Sequence, residues 1–242
     1  SHDLQVKNTT LKKIFMKKIF KAVTIGLLSA CPVLWAGDSV PLYMNEHEPV
    51  ERRVKDLLSR MTLHEKVMQL QNRQIGEPSA FDDNFGGFSV GTVHDMDHPA
   101  SQCRTLTDTL SGYMDATRLR IPVLTCVEGI QGILQDSCTI FPHALAQGST
   151  FNPALINKMT AACALEARSL GLRQVLSPVL DIARDLRWGR VEETFGEDPY
   201  LIAEIATAFV DGYQQNGVGC MPKHFVAHGT PTGGLNCANV CG

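Results

Sequence analysis

Charged side chains crowd into residues 177–200, a stretch that begins apolar and ends charged. An apolar run, Val175 to Ile182, predicts a buried strand that leads into this stretch. Behind it come arginines, carboxylates and a tryptophan, namely Arg184, Asp185, Arg187, Trp188, Arg190, Glu192 and Glu193. Guanidinium groups bind either carboxylates or the hydroxyls of a polar ligand, so this segment predicts an ion-pair network or a binding loop. Trp188 is expected to pack inside the loop rather than on a ligand.

Two more polar positions follow apolar runs elsewhere in the chain. Glu128 ends the run 121–128, and the pair Lys223-His224 ends the run 218–225. Both runs are typical of strands buried on two faces of a parallel sheet. In an α/β barrel the chemistry gathers at the carboxyl ends of such strands. We therefore expect Glu128, Lys223 and the arginine-rich loop to converge on one mouth.

The elements that would position these residues alternate along the chain. Helices are predicted within 48–71, with Thr62 and Glu65 as a capping box and Val67 and Leu70 inside, and over 101–119, 153–170 and 199–215. Strands are predicted over 85–93, 121–128, 174–182 and 218–225. Strand, loop and helix at this spacing predict an α/β fold with a parallel sheet of right-handed units. A length of 242 residues suits a single α/β barrel.

Two motifs resemble a known family. The run from Arg184 to Pro199 is similar to the signature Arg-Asp-x-Arg-Trp-Gly-Arg-x-x-Glu-x-x-Gly-Glu-Asp-Pro of the N-terminal barrel domain of glycoside hydrolase family 3. Residues 57–70 also resemble that family's Leu-Leu-Ser-x-Met-Thr-x-x-Glu-Lys-x-x-Gln-Leu entry helix. The resemblance extends from about Glu48 to Gly242. It implies a (β/α)8 barrel of which only the N-terminal part, roughly five or six strands, is present.

The same resemblance implies a function and a set of substrate-binding residues. Glu128, Arg190, Lys223 and His224 stand where the family holds hydroxyls of the sugar next to the scissile bond. The activity implied is that of a retaining β-glucosidase, with β-xylosidase as the alternative, acting on a small carbohydrate without a cofactor. In the family the nucleophile is an Asp on a later strand, and a following sandwich domain supplies the acid/base. Neither is expected in this sequence, so we predict no catalytic residue here and no hydrolysis by this chain alone.

The same residues allow other interpretations. Glu192 and Glu193 are not taken as a catalytic carboxylate pair, because neighbours on one chain project apart and both lie near arginines. Gln131-Gly132 and Val127 depart from common family residues, which bears on substrate preference. A secreted, non-catalytic sugar-binding protein is a further alternative. A metal site of His224, His228, Cys237 and Cys241 is disfavoured, because a strand end does not put the two histidines on one face.

The front of the chain differs from the rest in charge. Residues 1–36 hold six lysines and one acid, which leaves 16 basic and 24 acidic side chains behind them. That balance argues against nucleic acid as a partner. Met16 and the apolar run after it predict a secretory signal, with residues 37–242 as the barrel part. Cleavage before Cys31 would give a lipid-anchored periplasmic or surface protein, whereas cleavage before Gly37 would give an unanchored exported one.

Overall fold

A five-stranded parallel sheet lies at the centre of the fold, and its strand order is the order of the chain. The computed structural model describes residues 40–94 and 99–240. The strands are β1 (Asn72–Gln74), β2 (Thr92–His94), β3 (Leu124–Val127), β4 (Gln174–Val175) and β5 (Gly219–Cys220). The predicted α/β class and parallel sheet are confirmed. Consecutive parallel strands are the arrangement of the first part of a (β/α)8 barrel.

Helices occupy the connections between the strands. They are α1 (Val50–Arg60), α2 (Leu63–Gln69), α3 (Phe81–Phe85), α4 (Ala100–Asp115), α5 (Ala144–Gly148), α6 (Pro153–Ser169) and α7 (Pro199–Gln214). Side chains fix where the two long helices α6 and α7 begin. Asn152 Oδ1 accepts from Leu155 N at 3.1 Å, and Asp198 Oδ1 accepts from Tyr200 N at 2.8 Å. A proline follows each cap, where its missing N–H costs nothing, so both predicted starts are confirmed.

Three strands are shorter than predicted, and of the run 121–128 only Leu124–Val127 is strand. Of the run 174–182 only Gln174–Val175 is strand, and of 218–225 only Gly219–Cys220. Pro178 and Pro222 lack the N–H that a ladder needs. Beyond them Val179 still makes isolated parallel bridges with Lys223 and with Thr194. The polar site is therefore built on extended chain that continues the strands.

The prediction of a glycine-rich strand over 85–93 was wrong for most of its length. Helix α3 ends at Phe85, and Gly86 follows with a positive φ of 59°. A left-handed residue closes a helix and interrupts an extended run, so β2 begins only at Thr92. The structure also contains β1, α3 and α5, which the sequence pattern did not predict.

Helix α2 buries different residues from those expected. Val67 and Leu70 are 44% and 87% exposed, whereas Glu65 and Met68 are buried. The predicted capping box is present, because Thr62 Oγ1 accepts from Glu65 N and Glu65 Oε2 accepts from Thr62 N. Arg118 also binds both oxygens of Glu65, at 2.6 and 2.9 Å. These hydrogen bonds, that from Arg118 foremost, lower the pKa of Glu65 to about 2 and satisfy its buried carboxylate.

The core lies between the sheet and the helices, where α6 and α7 pack closely on each other. Gly212 of α7 permits this approach. A Cβ at that position would lie 1.9 Å from Thr160 Oγ1 and 2.5 Å from the carbonyl of Asn157. Phe209 and Tyr213 of α7 are fully buried beside it and are stacked at a tilt, with ring centroids 5.2 Å apart.

The described residues divide into two compact units, one that ends at Val54 and one that begins at Lys55. In the first, Arg53 Nε donates to the carbonyl of Tyr43 at 2.9 Å. The second contains the whole sheet. None of the helices in residues 40–94 and 99–240 is long and apolar enough to cross a membrane. Met16, Cys31 and Gly37 lie outside the described residues, so the signal segment and the lipid anchor stay predictions.

Candidate substrate-binding site

Glu128 and Lys223 meet at the carboxyl ends of β3 and β5. Glu128 directly follows the last residue of β3, and Lys223 follows β5 after two intervening residues. Lys223 Nζ donates to both carboxylate oxygens of Glu128, at 2.9 and 3.0 Å. The Lys223 side chain is 14% exposed and that of Glu128 is 40% exposed. Two predicted residues 95 positions apart in sequence are thus in direct contact at one edge of the sheet.

Arg190, the third predicted residue, lies where the arginine-rich loop enters a short 3-10 turn, Val191–Glu193. Its Nε and Nη2 each donate to a carboxylate oxygen of Glu193 at 2.6 Å. This bidentate pair fixes the plane of the guanidinium. The hydrogen bonds with Glu193 raise the pKa of Arg190, and the negative charges of Glu128 and Asp181 add to the effect. Arg190 therefore lies in the electrostatic field of the other site residues.

His224, the fourth predicted residue, is held by Asp181. His224 Nδ1 lies 2.7 Å from Asp181 Oδ2, and the backbone N–H of His224 donates to the same oxygen at 3.2 Å. The backbone N–H of Gly229 donates to the other oxygen, Oδ1, at 2.8 Å. Asp181 is buried, and its side chain is only 3% exposed.

His228 connects the arginine to the first histidine. Its Nε2 is 3.3 Å from Arg190 Nη1, and its ring lies 4.4 Å from that of His224, centroid to centroid. Trp188 packs edge to face on His228 at 5.4 Å. As predicted, Trp188 lies inside the loop: it is 1% exposed, and its Nε1 donates to Asn236 Oδ1 at 2.9 Å. These contacts join the segment after β5 to the arginine-rich loop, and the side chains of the two segments form one continuous layer.

A cleft of about 540 Å³ opens beside this layer. Asp181, Arg184, Lys223 and His224 supply its polar lining, and Leu180, Ile182 and Phe225 are among its apolar residues. Glu128 and Arg190 do not line it. The charged groups of the cleft and of the layer beside it are three carboxylates (Glu128, Asp181, Glu193) and three cations (Arg184, Arg190, Lys223), so their formal charges cancel. Close donors and acceptors of both kinds suit a neutral polyhydroxyl ligand better than an ion.

The histidine pair is not arranged around a metal. Across the part of the chain that the structure describes, no three His, Cys, Asp or Glu side chains are grouped to hold an ion. The rings of His224 and His228 stack with an interplanar angle of 59°, and their hydrogen-bonding nitrogens go to Asp181 and Arg190. Cys237 is an exposed free thiol, and Cys241 lies outside the described residues.

Sequence reasoning missed two residues of this site, Asp181 and His228. Asp181 lies near the end of the run 174–182, much as Glu128 lies at the end of 121–128, so its position carried a similar signal. His228 was considered only as a metal ligand. Its connection to Arg190 depends on a loop path that residue spacing does not reveal.

A parallel α/β sheet with its polar residues beyond the carboxyl strand ends is the architecture of the α/β barrel enzymes. Within that class the sequence matches the glycosyl hydrolase family 3 N terminal domain over residues 62–240. This chain belongs to that family.

Curated relatives support the assignment. A β-xylosidase of Formosa agariphila is 32% identical over 79% of this chain and 23% of its own length. The periplasmic β-glucosidase of Salmonella typhimurium is 31% identical over 75% of this chain and 24% of its own length. The chain thus spans about a quarter of the length of these relatives.

Solved structures agree in fold. The β-glucosidase EmGH1 of Erythrobacter marinus superposes with a TM-score of 0.75 at 31% identity, covering 82% of this chain and 28% of that one. A β-glucosidase mutant of Listeria innocua, solved in complex with laminaribiose, gives 0.66 at 30% identity, with 79% and 29% covered.

Proposed function

We propose that this chain supplies the sugar-binding side of a retaining β-glycosidase that releases terminal β-D-glucosyl residues. The observation that carries the proposal is the contact between Glu128 and Lys223 at the ends of β3 and β5. Both residues were expected from their positions in the family motif. The names of the relatives, β-glucosidase and β-xylosidase, support the same class of reaction.

Each of the four residues has a role that its chemistry permits. Glu128 is the most exposed member of its ion pair and accepts hydrogen bonds from sugar hydroxyls. Lys223 keeps a third N–H beyond the two given to Glu128, and donates it to a hydroxyl oxygen. Arg190 donates from Nη1, which faces His228 rather than Glu193. His224 lines the cleft and offers its Nε2 to a hydroxyl of the sugar.

We propose that the nucleophile and the acid/base belong to other parts of the same enzyme. Retaining glycosidases place two carboxyl groups about 5 Å apart, one of them with a raised pKa. Here Glu193 is bound bidentately by Arg190, and Arg187 lowers the pKa of Asp185 to about 2 by hydrogen bonding. Carboxylates paired with arginines in this way hold the loop, and the two found here do not form the catalytic pair of a retaining enzyme.

Sugar binding by the purified 242-residue chain tests the proposal. Calorimetric titration with glucose is expected to show weak binding that Glu128→Gln lowers by about tenfold, the size of one hydrogen bond to a charged group. Glu192→Gln removes a nearby carboxylate outside the four-residue set and serves as the matched control. Equal binding by wild type and Glu128→Gln, or steady hydrolysis of an aryl β-glucoside by the purified chain, would contradict the assignment of roles.

A β-xylosidase is the second candidate, favoured by the relative from Formosa agariphila. Xylose lacks the hydroxymethyl group of glucose but shares the ring hydroxyls that the four residues would bind. Parallel titrations with the two sugars separate the candidates, because an enzyme for xylose binds it at least as well as glucose. The non-catalytic sugar-binding alternative would be favoured if the protein bound both sugars and no version of it, including any longer than 242 residues, hydrolysed a glycoside.

We further propose that the protein is exported. Support comes from the lysine-rich, apolar front of the chain and from the periplasmic relative of Salmonella typhimurium. Mass spectrometry of the mature protein distinguishes a lipidated Cys31 start from an unmodified Gly37 start. A mature protein that retains Met16 would contradict export by this signal.

A further inference from the structure

We propose that Asp181 is a positioning residue that holds His224 in a single tautomer, with the proton on Nδ1 and with Nε2 left as a hydrogen-bond acceptor for a sugar hydroxyl. The ligand in this statement rests on the proposed function. The tautomer does not, and it can be tested without any sugar.

The burial of Asp181 shows that its carboxylate serves the structure around it. The side chain is 3% exposed, and each of its oxygens accepts a backbone N–H, one from His224 and one from Gly229. Gly229 fits closely, because a Cβ there would lie 2.7 Å from the Asp181 Cβ. Asp181 therefore joins the extension of β4 to the loop after β5 at both ends of the segment 224–229.

The carboxylate dictates where the imidazole proton lies. An ionised carboxylate only accepts hydrogen bonds, so the 2.7 Å contact requires a proton on His224 Nδ1. In a neutral ring the other nitrogen then carries a lone pair. His224 lines the cleft, and within residues 40–94 and 99–240 its Nε2 has no hydrogen-bond partner.

The result is a complementary pair of neighbours along the chain. Lys223 can only donate hydrogen bonds, and His224 Nε2, in this tautomer, can only accept. A hydroxyl group both donates and accepts, so it satisfies the two residues together, whereas a ligand without donors leaves His224 unpaired. Asp181 thereby sets the hydrogen-bonding polarity of the site through His224.

Nitrogen NMR of the full-length chain, labelled with ¹⁵N-histidine, reads the tautomer directly. At about pH 8, where an ordinary histidine is neutral, we expect His224 to show a protonated Nδ1 and an unprotonated Nε2. His224→Gln identifies the signal by removing it. An Nε2-protonated ring in the wild-type chain, or a mixture of both tautomers, would overturn the proposal whatever any variant does.

Asp181→Ala is the matching variant. The carboxylate accepts two hydrogen bonds at Oδ2, both from His224, and one at Oδ1 from Gly229, and alanine offers no acceptor for any of them. Without an acceptor at Nδ1 a single tautomer is no longer imposed, so the ring is expected to carry its proton on Nε2 or to exchange it between the two nitrogens. Asp185→Ala removes a carboxylate of the arginine-rich loop that pairs with Arg187 and should leave the His224 signal unchanged. A folded Asp181→Ala protein that keeps the wild-type tautomer would also overturn the proposal.

Glucose titration of the same proteins separates this inference from the proposed function. With both correct, Asp181→Ala binds about tenfold more weakly than wild type, and Asp185→Ala binds equally well. A wild-type chain with the expected tautomer and no sugar affinity would reject the proposed function and leave the positioning role of Asp181 standing.

Discussion

Two polar pairs of the site join segments that are distant in sequence, whereas Arg190 pairs locally with Glu193. Glu128 pairs with Lys223, and Asp181 pairs with His224, in each case across strands that are far apart in sequence. A sugar hydroxyl that enters the site must share or replace these existing hydrogen bonds. Each new hydrogen bond therefore adds less binding free energy than one to an unpaired charged group would add. We therefore expect modest affinity for a single sugar.

His228 gives a test at the scale of one residue. His228→Phe keeps a ring against Trp188 and His224 but cannot accept from Arg190 Nη1. We expect glucose affinity to fall severalfold, while the free energy of unfolding changes by less than about 1 kcal/mol, because the ring contacts are preserved. Calorimetric titration and urea unfolding measure the two effects.

His64→Phe is the matched control, since His64 is an exposed ring that packs on Phe88 in another part of the fold. Unchanged affinity in His228→Phe, or an equal loss in both variants, would show that the Arg190 contact has no part in binding.

At the level of elements, a single hydroxyl determines where α2 begins. Thr62 Oγ1 accepts from Glu65 N at 3.2 Å and donates to Glu65 Oε2 at 2.9 Å. Thr62→Ala is expected to lower the free energy of unfolding by about 1 kcal/mol, the usual cost of losing a helix cap. Urea denaturation measures this loss in the free energy of unfolding.

Thr109→Ala on α4 removes an exposed threonine whose hydroxyl only bonds back to Thr105 O. It should change stability by less than about 0.5 kcal/mol. A Thr62→Ala protein as stable as this control would show that the cap is dispensable.

Helix ends were the part of the fold that sequence predicted best. Asn152, Asp198 and the Thr62 box act within three residues of their partners, so the signal is local. Strand ends were predicted worst. The run 174–182 is mostly apolar, but only Gln174–Val175 is strand, and Pro178 lacks the N–H that would continue the ladder. Apolar character reports burial, and it does not report whether a backbone is paired.

The site shows the same division. The positions of Glu128, Arg190, Lys223 and His224 could be predicted from motif and strand ends, and the structure places Glu128 against Lys223. Whether they bind sugar stays a prediction. The partners Asp181 and His228 were missed, because hydrogen bonds between loops depend on a three-dimensional path that no local pattern records.

On the scale of the whole molecule, acid should weaken the fold through Glu65. Its pKa is about 2 in the folded protein, below the ordinary 4.5. The unfolded chain therefore takes up the proton first as pH falls, so the stability due to Glu65 is fully present above about pH 4.5 and is lost toward pH 2.

Urea unfolding at several pH values between 7 and 2 measures this loss. Glu65→Gln should be less stable than wild type at pH 7, with a difference that shrinks as the pH falls. Glu192→Gln, at a surface carboxylate in the second compact unit, should show no such convergence. A Glu65→Gln deficit that stays constant down to about pH 2 would contradict the role of the ion pair with Arg118.

The order of the sheet has a consequence for how the protein is made. Each strand pairs with the one before it in the chain, and the paired residues Asn72 with Thr92, Thr92 with Leu124, Cys126 with Gln174 and Gln174 with Gly219 are 20, 32, 48 and 45 positions apart. A ribosome releases the polypeptide in that same order, so every strand leaves the exit tunnel when its neighbour has already been synthesised. No pairing among these strands has to wait for a distant segment, and the closing loops stay short. The sheet can therefore grow one unit at a time during translation.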